Sequence, residues 1–347
     1  MAAAAAVAAA DASAKRKKSV VGTHSGTFHC DEALGCYLLR QTPAFRDSEI
    51  VRSRDPAVLA GADVVLDVGG AYEPDALRFD HHQRGFVEVF GHGYATKLSS
   101  AGLVYKHYGR AIVAQRMALP EDHPDVTAVW LEIYKTFIEA VDGNDNGVNQ
   151  YESDKPPRYV VNTTLPARVA ALNPNWSDPY TDDSLYQGFL KAVELTGKEF
   201  EDALAYVSKY WLPAKSLVAE AVKGRKEVDP SGRIIKLSQG GVPWKQHLYA
   251  LEGELGLGPD ECVLFVLYED EREKKWRIQA VSAAPGSFEN RKSIGLPAWR
   301  GLRDDELSAA CGVPGCVFIH ASGFIGGNAT YEGALQMARL SLAAPDE

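Results

Sequence analysis

Val20-Val21-Gly22-Thr23-His24-Ser25-Gly26-Thr27-Phe28-His29-Cys30-Asp31-Glu32, residues 20–32, runs from an apolar segment into the start of a helical pattern, with two histidines and a carboxylate in the turn. A strand that feeds a helix through a short turn is the repeating unit of a parallel α/β sheet. In such sheets the turn lies at the carboxyl edge, where ligands bind. The small residues Ser25, Gly26 and Thr27 let the backbone fold tightly enough for His24, His29 and Asp31 to converge. Together these three side chains suit one divalent cation.

Outward from this turn, apolar runs at Ile50-Val51, Val64-Val65-Leu66 and Leu77-Arg78-Phe79 alternate with helical spacing over 32–40, 99–117 and 125–141, with Ser99 or Ser100 as an N-cap. The expected fold class is α/β: an N-terminal Rossmann-like domain with a parallel sheet, which with its linking helices spans 19–205. Helical spacing over 181–223, broken at Pro213, marks the link. Strands at 233–237, 261–268, 276–282 and 317–320, then a helix at 331–342, predict a smaller C-terminal α+β domain over 206–347. The charged stretch 269–275 reads as a solvated hairpin loop.

A chain of 347 residues that is 46% hydrophobic holds enough apolar surface for about two cores, which excludes a disordered or fibrous protein. Lys and Arg number 37 against 46 Asp and Glu, a net charge of −9, so no broad basic face holds a polyanion and a phosphate must be met by a local cationic device. Five scattered cysteines and no secretory signal argue against a disulfide framework, and Cys30, Cys311 and Cys316 read as small core residues. The Ala-rich start followed by Lys15-Arg16-Lys17-Lys18 predicts a disordered, solvated tail over 1–18, although the basic quartet also fits a nuclear address. The longest stretch free of Asp, Glu, Lys and Arg, 307–331, contains Pro314 and His320, so no membrane span is expected.

Seven of the nine histidines precede Pro124, and they cluster beside acidic residues. Asp67 closes the apolar run 64–66, and a carboxylate leaving a buried strand is costly unless it meets a cation or several donors. Asp80-His81-His82-Gln83-Arg84 follows the next run. Asp142-Gly143-Asn144-Asp145 lies in a turn at a helix end, where a carboxylate gains nothing from the macrodipole. Each of these alone is an ordinary turn. Brought to one rim of one sheet, they predict a metal centre of His24, His29, Asp31, Asp67 and His81 with Asp142 or Asp145. Carboxylate and imidazole donors without sulfur favour Mn²⁺ or Mg²⁺ and leave Zn²⁺ open.

The segments 22–34 (GTHSGTFHCDEAL), 67–70 (DVGG), 80–84 (DHHQR), 96–103 (TKLSSAGL), 299–303 (WRGLR) and 319–327 (IHASGFIGG) resemble the MYG (melanocyte proliferating gene) exonuclease family of the DHH phosphoesterase superfamily, and the similarity runs from about Val20 to the C-terminus. One departure is plain: many superfamily members carry Asp-x-Asp in the first motif, where this chain has His29-Cys30-Asp31. The resemblance implies a metal-dependent 3′–5′ RNA exonuclease with a DHHA1-like C-terminal substrate-binding domain, acting on RNA or oligonucleotides with two Mn²⁺, and resident in the nucleus, nucleolus or mitochondrion, with the cytoplasm left open.

Two cations a few Å apart would activate a water and hold a phosphodiester for in-line attack. On that reading His24, His29, Asp31 and Asp67 surround one ion. Asp67, His81 and Asp142 or Asp145 surround the other, with Asp67 as the bridge. Asp80 orients a ligating imidazole, His82 donates to a phosphoryl or leaving oxygen, and Arg84 clamps a phosphate. The loop 320–327 resembles the glycine-rich, histidine-containing loop with which DHH enzymes hold nucleic acid or phosphate. There His320 and Ser322 offer donors, Gly323, Gly326 and Gly327 free the backbone to meet an anion, and Phe324 offers a stacking face. Arg291, Lys292, Arg300 and Arg303 are further cationic candidates. Two other functions compete: a phosphohydrolase for a small substrate such as a cyclic dinucleotide or pyrophosphate, and a non-catalytic nucleotide-binding scaffold.

Overall fold

The structure is a computed structural model and describes residues 18–152 and 154–345. The tail expected over 1–18 therefore lies, but for Lys18, outside the described residues. The chain divides into two compact units, Met1–Val207 and Ser208–Glu347.

In the first unit a five-stranded sheet has the order β2-β1-β3-β5-β4, formed by β1 (Val20–Thr23), β2 (Glu49–Arg52), β3 (Val64–Leu66), β4 (Tyr72–Glu73) and β5 (Arg78–Phe79). β1 runs parallel to β2 and β3, and β3 parallel to β5; only the edge strand β4 is antiparallel. The register pairs Gly22 with Val65 and Leu66 with Phe79. That register fixes the site: the residues that follow β1, β3 and β5 emerge at one edge, and they are His24, Asp67 and the Asp80-His81 pair. A hairpin of β6 (Val89–Gly91) and β7 (Tyr94–Lys97) follows. Its two-residue turn, His92-Gly93, has φ of 55° and 90°, as a tight hairpin requires.

Helix α1 (Cys30–Arg40) buries nearly every side chain it carries, because it packs on α3 (Ser100–Met117) and α7 (Asp182–Tyr206) as well as the sheet. Fully buried Leu34, Leu38 and Leu39 each contribute roughly 1.5–3 kcal/mol there. The turn α2 (Pro56–Leu59) is capped by Asp55, and Ser99 caps α3. The helical run expected over 125–141 extends further, as α4 (Pro124–Ile133), a π-helical turn Tyr134–Ile138 and α5 (Glu139–Asp145). Asp142 and Asp145 thus stand in the last turn of a helix and not in a loop beyond it. A short α6 (Leu165–Ala170) precedes α7.

The second unit begins with α8 (Leu212–Lys223) and α9 (Arg225–Val228). Pro213 is the second residue of α8 and directly follows a π-helical turn, Val207–Trp211, so the α-helical run is interrupted just before the proline, whose missing N–H cannot continue a regular ladder. A second sheet has the order β11-β12-β10-β9-β8, from β8 (Ile234–Lys236), β9 (Phe265–Glu269), β10 (Trp276–Ala280), β11 (Cys316–Ile319) and β12 (Ile325–Asn328). Along β9 the side chains alternate between faces. Phe265 and Leu267 join Ala334 and Met337 of α12 (Tyr331–Ala343), beside α11 (Asp304–Cys311), while Val266 joins Val218 and Leu248 of α8 and α10 (Trp244–Glu254). Cys311 and Cys316 belong to the first of these cores, with their sulfurs 3.5 Å apart.

Candidate metal centre

Four chain segments meet at the carboxyl edge of the first sheet. Asp67, one residue past β3, adopts a left-handed backbone, φ 59°, a conformation that aspartate tolerates better than most side chains and that clusters at functional sites. Its Oδ2 lies 3.3 Å from His24 Nε2 and its Oδ1 lies 3.4 Å from His81 Nε2. His24 Nε2 also faces Glu32 Oε1 at 3.0 Å, and His81 Nε2 faces Asp145 Oδ2 at 3.1 Å and Asp31 Oδ2 at 4.0 Å. Ligand atoms close enough to share an ion form three groups: His24, His29, Glu32 and Asp67; Asp67, His81 and His82; and His29, Asp31 and Asp145. Asp67 and His29 each belong to two of them.

A buried network of ion pairs is the simpler alternative to a metal, and two observations weigh against it. Four carboxylates, Asp31, Glu32, Asp67 and Asp145, face only two buried imidazoles, so even doubly protonated histidines leave the group negative. Asp31 Oδ1 and His81 Nδ1 are buried without a hydrogen-bond partner, which a finished network rarely tolerates. The N-to-O spacings near 3 Å, which an ion pair also shows, are compatible with donors lying at about 2.0–2.2 Å from one ion at right angles. The residues present therefore fit a divalent cation.

The electrostatics point the same way. Burial by itself lowers the His24 pKa, but the hydrogen bonds and charges of Asp67 and Glu32 outweigh it and carry the imidazole up to about 10. His81 is likewise desolvated, yet Asp145 and Asp67 raise it to about 9. Asp31 is pushed well above the usual carboxylate range by burial and then by the neighbouring Asp67, Asp145 and Glu32 charges. Each group is shifted as a site starved of positive charge would shift it. Asp67 alone moves the other way, since His24 and His81 outweigh its desolvation and hold it below the usual range.

Residues around the cluster fix its geometry. The first residues of α3 donate inward: Ser100 Oγ to Asp67 Oδ1 at 3.2 Å and Ser100 N to Asp31 Oδ2 at 3.3 Å. A helix N-terminus suits such carboxylates. Asp80 Oδ1 accepts from His81 N at 2.8 Å and His82 N at 3.2 Å, and faces His82 Nδ1 at 2.7 Å, while Oδ2 accepts from Gly70 N. Asp80 is thus occupied in orienting His82, whose side chain is 62% exposed at the mouth of the site.

Asp142 stands apart from the ligand groups. Its Oδ1 accepts from Ser99 N at 2.9 Å and Ser99 Oγ at 2.7 Å, and its Oδ2 from Tyr134 Oη at 3.0 Å, so it braces α3 against α5, while Asp145 is the carboxylate that reaches His81. Burial, partly offset by these donors, lifts Asp142 to about 7. Cys30 is buried, and burial raises its thiol further from ionisation. Arg84 is exposed and makes no ion pair among the described residues.

Two residues at the site were not assigned to it from the sequence. Glu32 accepts the His29 backbone N–H through both carboxylate oxygens and so opens α1, a capping signal that hid its second role toward His24. Arg54, beyond β2, lines a cavity of about 310 Å³ with His24, His29, Asp67 and His82, its Nη2 3.2 Å from His24 Nδ1. No local pattern around Arg54 announces this.

In the second unit, His320 Nδ1 lies 2.9 Å from Ser322 Oγ, and the His320 ring packs edge-on to Phe324, which is 38% exposed. Gly323, at φ 65°, turns the chain between them. Gly326 and Gly327, expected in an anion-holding loop, lie inside β12 and pair with β10 and β11. The sheet needs them small, since a Cβ on Gly327 would stand 3.0 Å from Arg277 Nη1 and 3.1 Å from the Trp276 carbonyl. The cationic candidates are also engaged. Arg291 forms an ion pair with Glu252 at 2.8 Å, Arg300 donates to the Ile294 and Gly295 carbonyls, Lys292 donates to Ala344 O, and Arg303 lies over the Phe318 ring.

The profile of the MYG1 exonuclease family, described as an uncharacterised protein family (UPF0160), matches residues 20–342. The chain belongs to this family. Among its relatives, the MYG1 exonuclease of Bos taurus is 51% identical over 328 residues, covering 93% of this chain and 84% of its own. That of Homo sapiens is 50% identical and covers 93% and 85%. A MYG1 protein of Saccharomyces cerevisiae is 44% identical over 327 residues, covering 92% and 95%. Among solved structures, the pGpG-specific phosphodiesterase PggH of Vibrio cholerae aligns at a TM-score of 0.27 and 16% identity over 94% of this chain and 100% of that one. The edge that this MYG1 family chain presents is one whose acidic and histidine clusters can hold a metal ion.

Proposed function

We propose that the chain is a two-metal phosphodiesterase of the DHH superfamily that removes nucleotides from the 3′ end of RNA. The observation that carries the reading is the sharing of a ligand: Asp67 stands in two overlapping donor groups, as a carboxylate between two neighbouring ions would. The relatives named as exonucleases support the substrate class. Mn²⁺ is the favoured ion, given oxygen and imidazole donors without sulfur.

His24, His29, Glu32 and Asp67 would hold one ion, and Asp67, His81, Asp31 and Asp145 its neighbour. Bound there, the pair supplies Lewis acidity toward a phosphodiester and a water activated near neutral pH. The chain itself contributes position and a proton. Asp80 fixes the His82 ring through Nδ1, which leaves Nε2 at the open mouth to protonate a leaving oxygen. Arg54, whose side-chain partners among the described residues are the His24 ring and the Ser25 carbonyl and include no carboxylate, is free to turn to a phosphate.

The deciding experiment offers end-labelled RNA, single-stranded DNA, dinucleotides and pyrophosphate to the Mn²⁺-loaded protein. Stepwise release of nucleotides from the RNA 3′ end, lost in Asp31→Asn with folding intact, supports the reading. Consumption of pyrophosphate or dinucleotides alone transfers it to a small substrate, which the net charge of −9 favours over long polyanions. Nucleotide binding without turnover leaves a scaffold.

A further inference from the structure

Beside the metal centre, a cavity of about 530 Å³ is lined by His29, His82 and Asp145 together with Asn144, Val161 and Ala167. Three of these carry the metal chemistry. The other three have no part in it, and they differ in kind. Val161 and Ala167 supply apolar wall, while the exposed carboxamide of Asn144 has no partner among the described residues, leaving a donor and an acceptor at the wall. A cavity within the ~300–1,000 Å³ class, with apolar walls and a few polar groups, encloses one small ligand.

A second, independent observation concerns the stretch 148–180, which supplies Val161 and Ala167. Half of the exposed large apolar side chains among the described residues fall in it, including Tyr151, Tyr159, Val160, Tyr180 and Trp176, the last 99% exposed. Exposed tyrosine and tryptophan are faces on which nucleobases stack. The stretch is tied to the metal-binding turn, since Tyr180 Oη lies 3.4 Å from Thr27 Oγ1.

We infer that this cavity is the seat of a single terminal nucleoside, with Val161 and Ala167 against the base, Asn144 on a sugar hydroxyl, and the phosphate toward His29, His82 and Asp145. The inference rests on the phosphodiesterase reading for the direction of the phosphate, and it deepens that reading by limiting the enzyme to one nucleotide at a time. Asn144 is the specificity residue: a carboxamide that both donates and accepts can tell a ribose from a deoxyribose.

The test is calorimetric titration of the Mn²⁺-loaded chain with adenosine 5′-monophosphate, and separately with inorganic phosphate. The variants are Ala167→Trp and Val161→Trp, which fill the cavity. The second sits on an exposed segment, so it remains informative should the first fail to fold. The expected result is one nucleotide bound per chain, at least tenfold weaker in the variants while their bound manganese is unchanged, with inorganic phosphate weaker than the nucleotide in the wild type. The inference is overturned by variants that bind the nucleotide as the wild type does, or by inorganic phosphate binding as tightly. A dimer that Val161→Trp dissolves without moving nucleotide affinity assigns the surface to a second copy and also overturns it. Hydrolysis of bis(p-nitrophenyl) phosphate by the wild type reports separately on the phosphodiesterase reading: its failure removes that reading, while the nucleotide titration still decides the cavity.

Discussion

Asp67 and His81, which follow neighbouring parallel strands, meet across the sheet edge with Oδ1 3.4 Å from Nε2, and the other oxygen of the same carboxylate faces His24 at 3.3 Å. One carboxylate thus serves both halves of the centre. Asp67→Asn, which keeps the shape and removes the charge, is expected to weaken both ion sites at once. The loss should exceed the roughly 10–100-fold that follows removal of a group merely supporting a ligand. Manganese retained after desalting, measured by elemental analysis against an unchanged circular dichroism spectrum, checks it.

Asp142 and Asp145 share the last turn of α5 yet should fail differently. Asp142→Ala strips the acceptor from Ser99 and Tyr134 and is expected to cost about 2–3 kcal/mol in urea unfolding, with manganese still bound. Asp145→Asn should leave the unfolding midpoint of the metal-free chain nearly in place and lower ion affinity. Equal effects of the two on manganese binding would show that Asp142 is a ligand after all.

Gly102 is the counterpart of that brace. A Cβ there would stand 2.2 Å from Asp142 Oδ1, so Gly102→Ala must push the carboxylate off the start of α3. We expect a loss of ~1–3 kcal/mol despite the better helix propensity of alanine, read from denaturant midpoints.

Chelation offers a test without mutation. Removing the ion should lower the melting temperature, and restoring Mn²⁺ at a hundredfold excess over its dissociation constant should return about 2.7 kcal/mol per site. A melting temperature indifferent to chelator and to added Mn²⁺ would leave the cluster a salt-bridge network.

In the second unit, Asp229 supplies an acid-sensitive element. Partial burial would raise its pKa, but donors from Ser231 and Arg339 prevail and hold it below the ordinary value. A depressed acid stabilises the fold at pH values above its ordinary pKa, and that contribution drains away as pH falls through the folded value. Asp229→Asn should therefore be less stable than wild type at pH 7, and the gap should close as pH falls below the ordinary carboxylate range. Urea midpoints at pH 7, 5 and 3 follow the convergence.

Much of the metal edge was legible because charge at the end of an apolar strand has few bland explanations. Asp67 ends one apolar strand and His81 follows the next, and the alternation of strand and helix placed them on one rim. Glu32 was masked by its other duty as the third residue of a helix, since the same spacing reads as a cap. Choosing between Asp142 and Asp145 required knowing what faced each side of α5, which no local pattern carries. Gly326-Gly327 misled because glycine serves two opposite ends, freeing a loop or letting strands pack closely, and only the neighbours of β12 decide which. Arg54 depends on where β2 ends in space.

The shared carboxylate of Glu32 links two events usually treated separately. It holds the amide of His29, the residue just before α1, through both oxygens and offers one of them to His24. Occupancy of the edge should consequently be felt along the buried helix beneath it, so slowed amide exchange at the start of α1 would report loading of the centre in a chain whose catalytic output is silent.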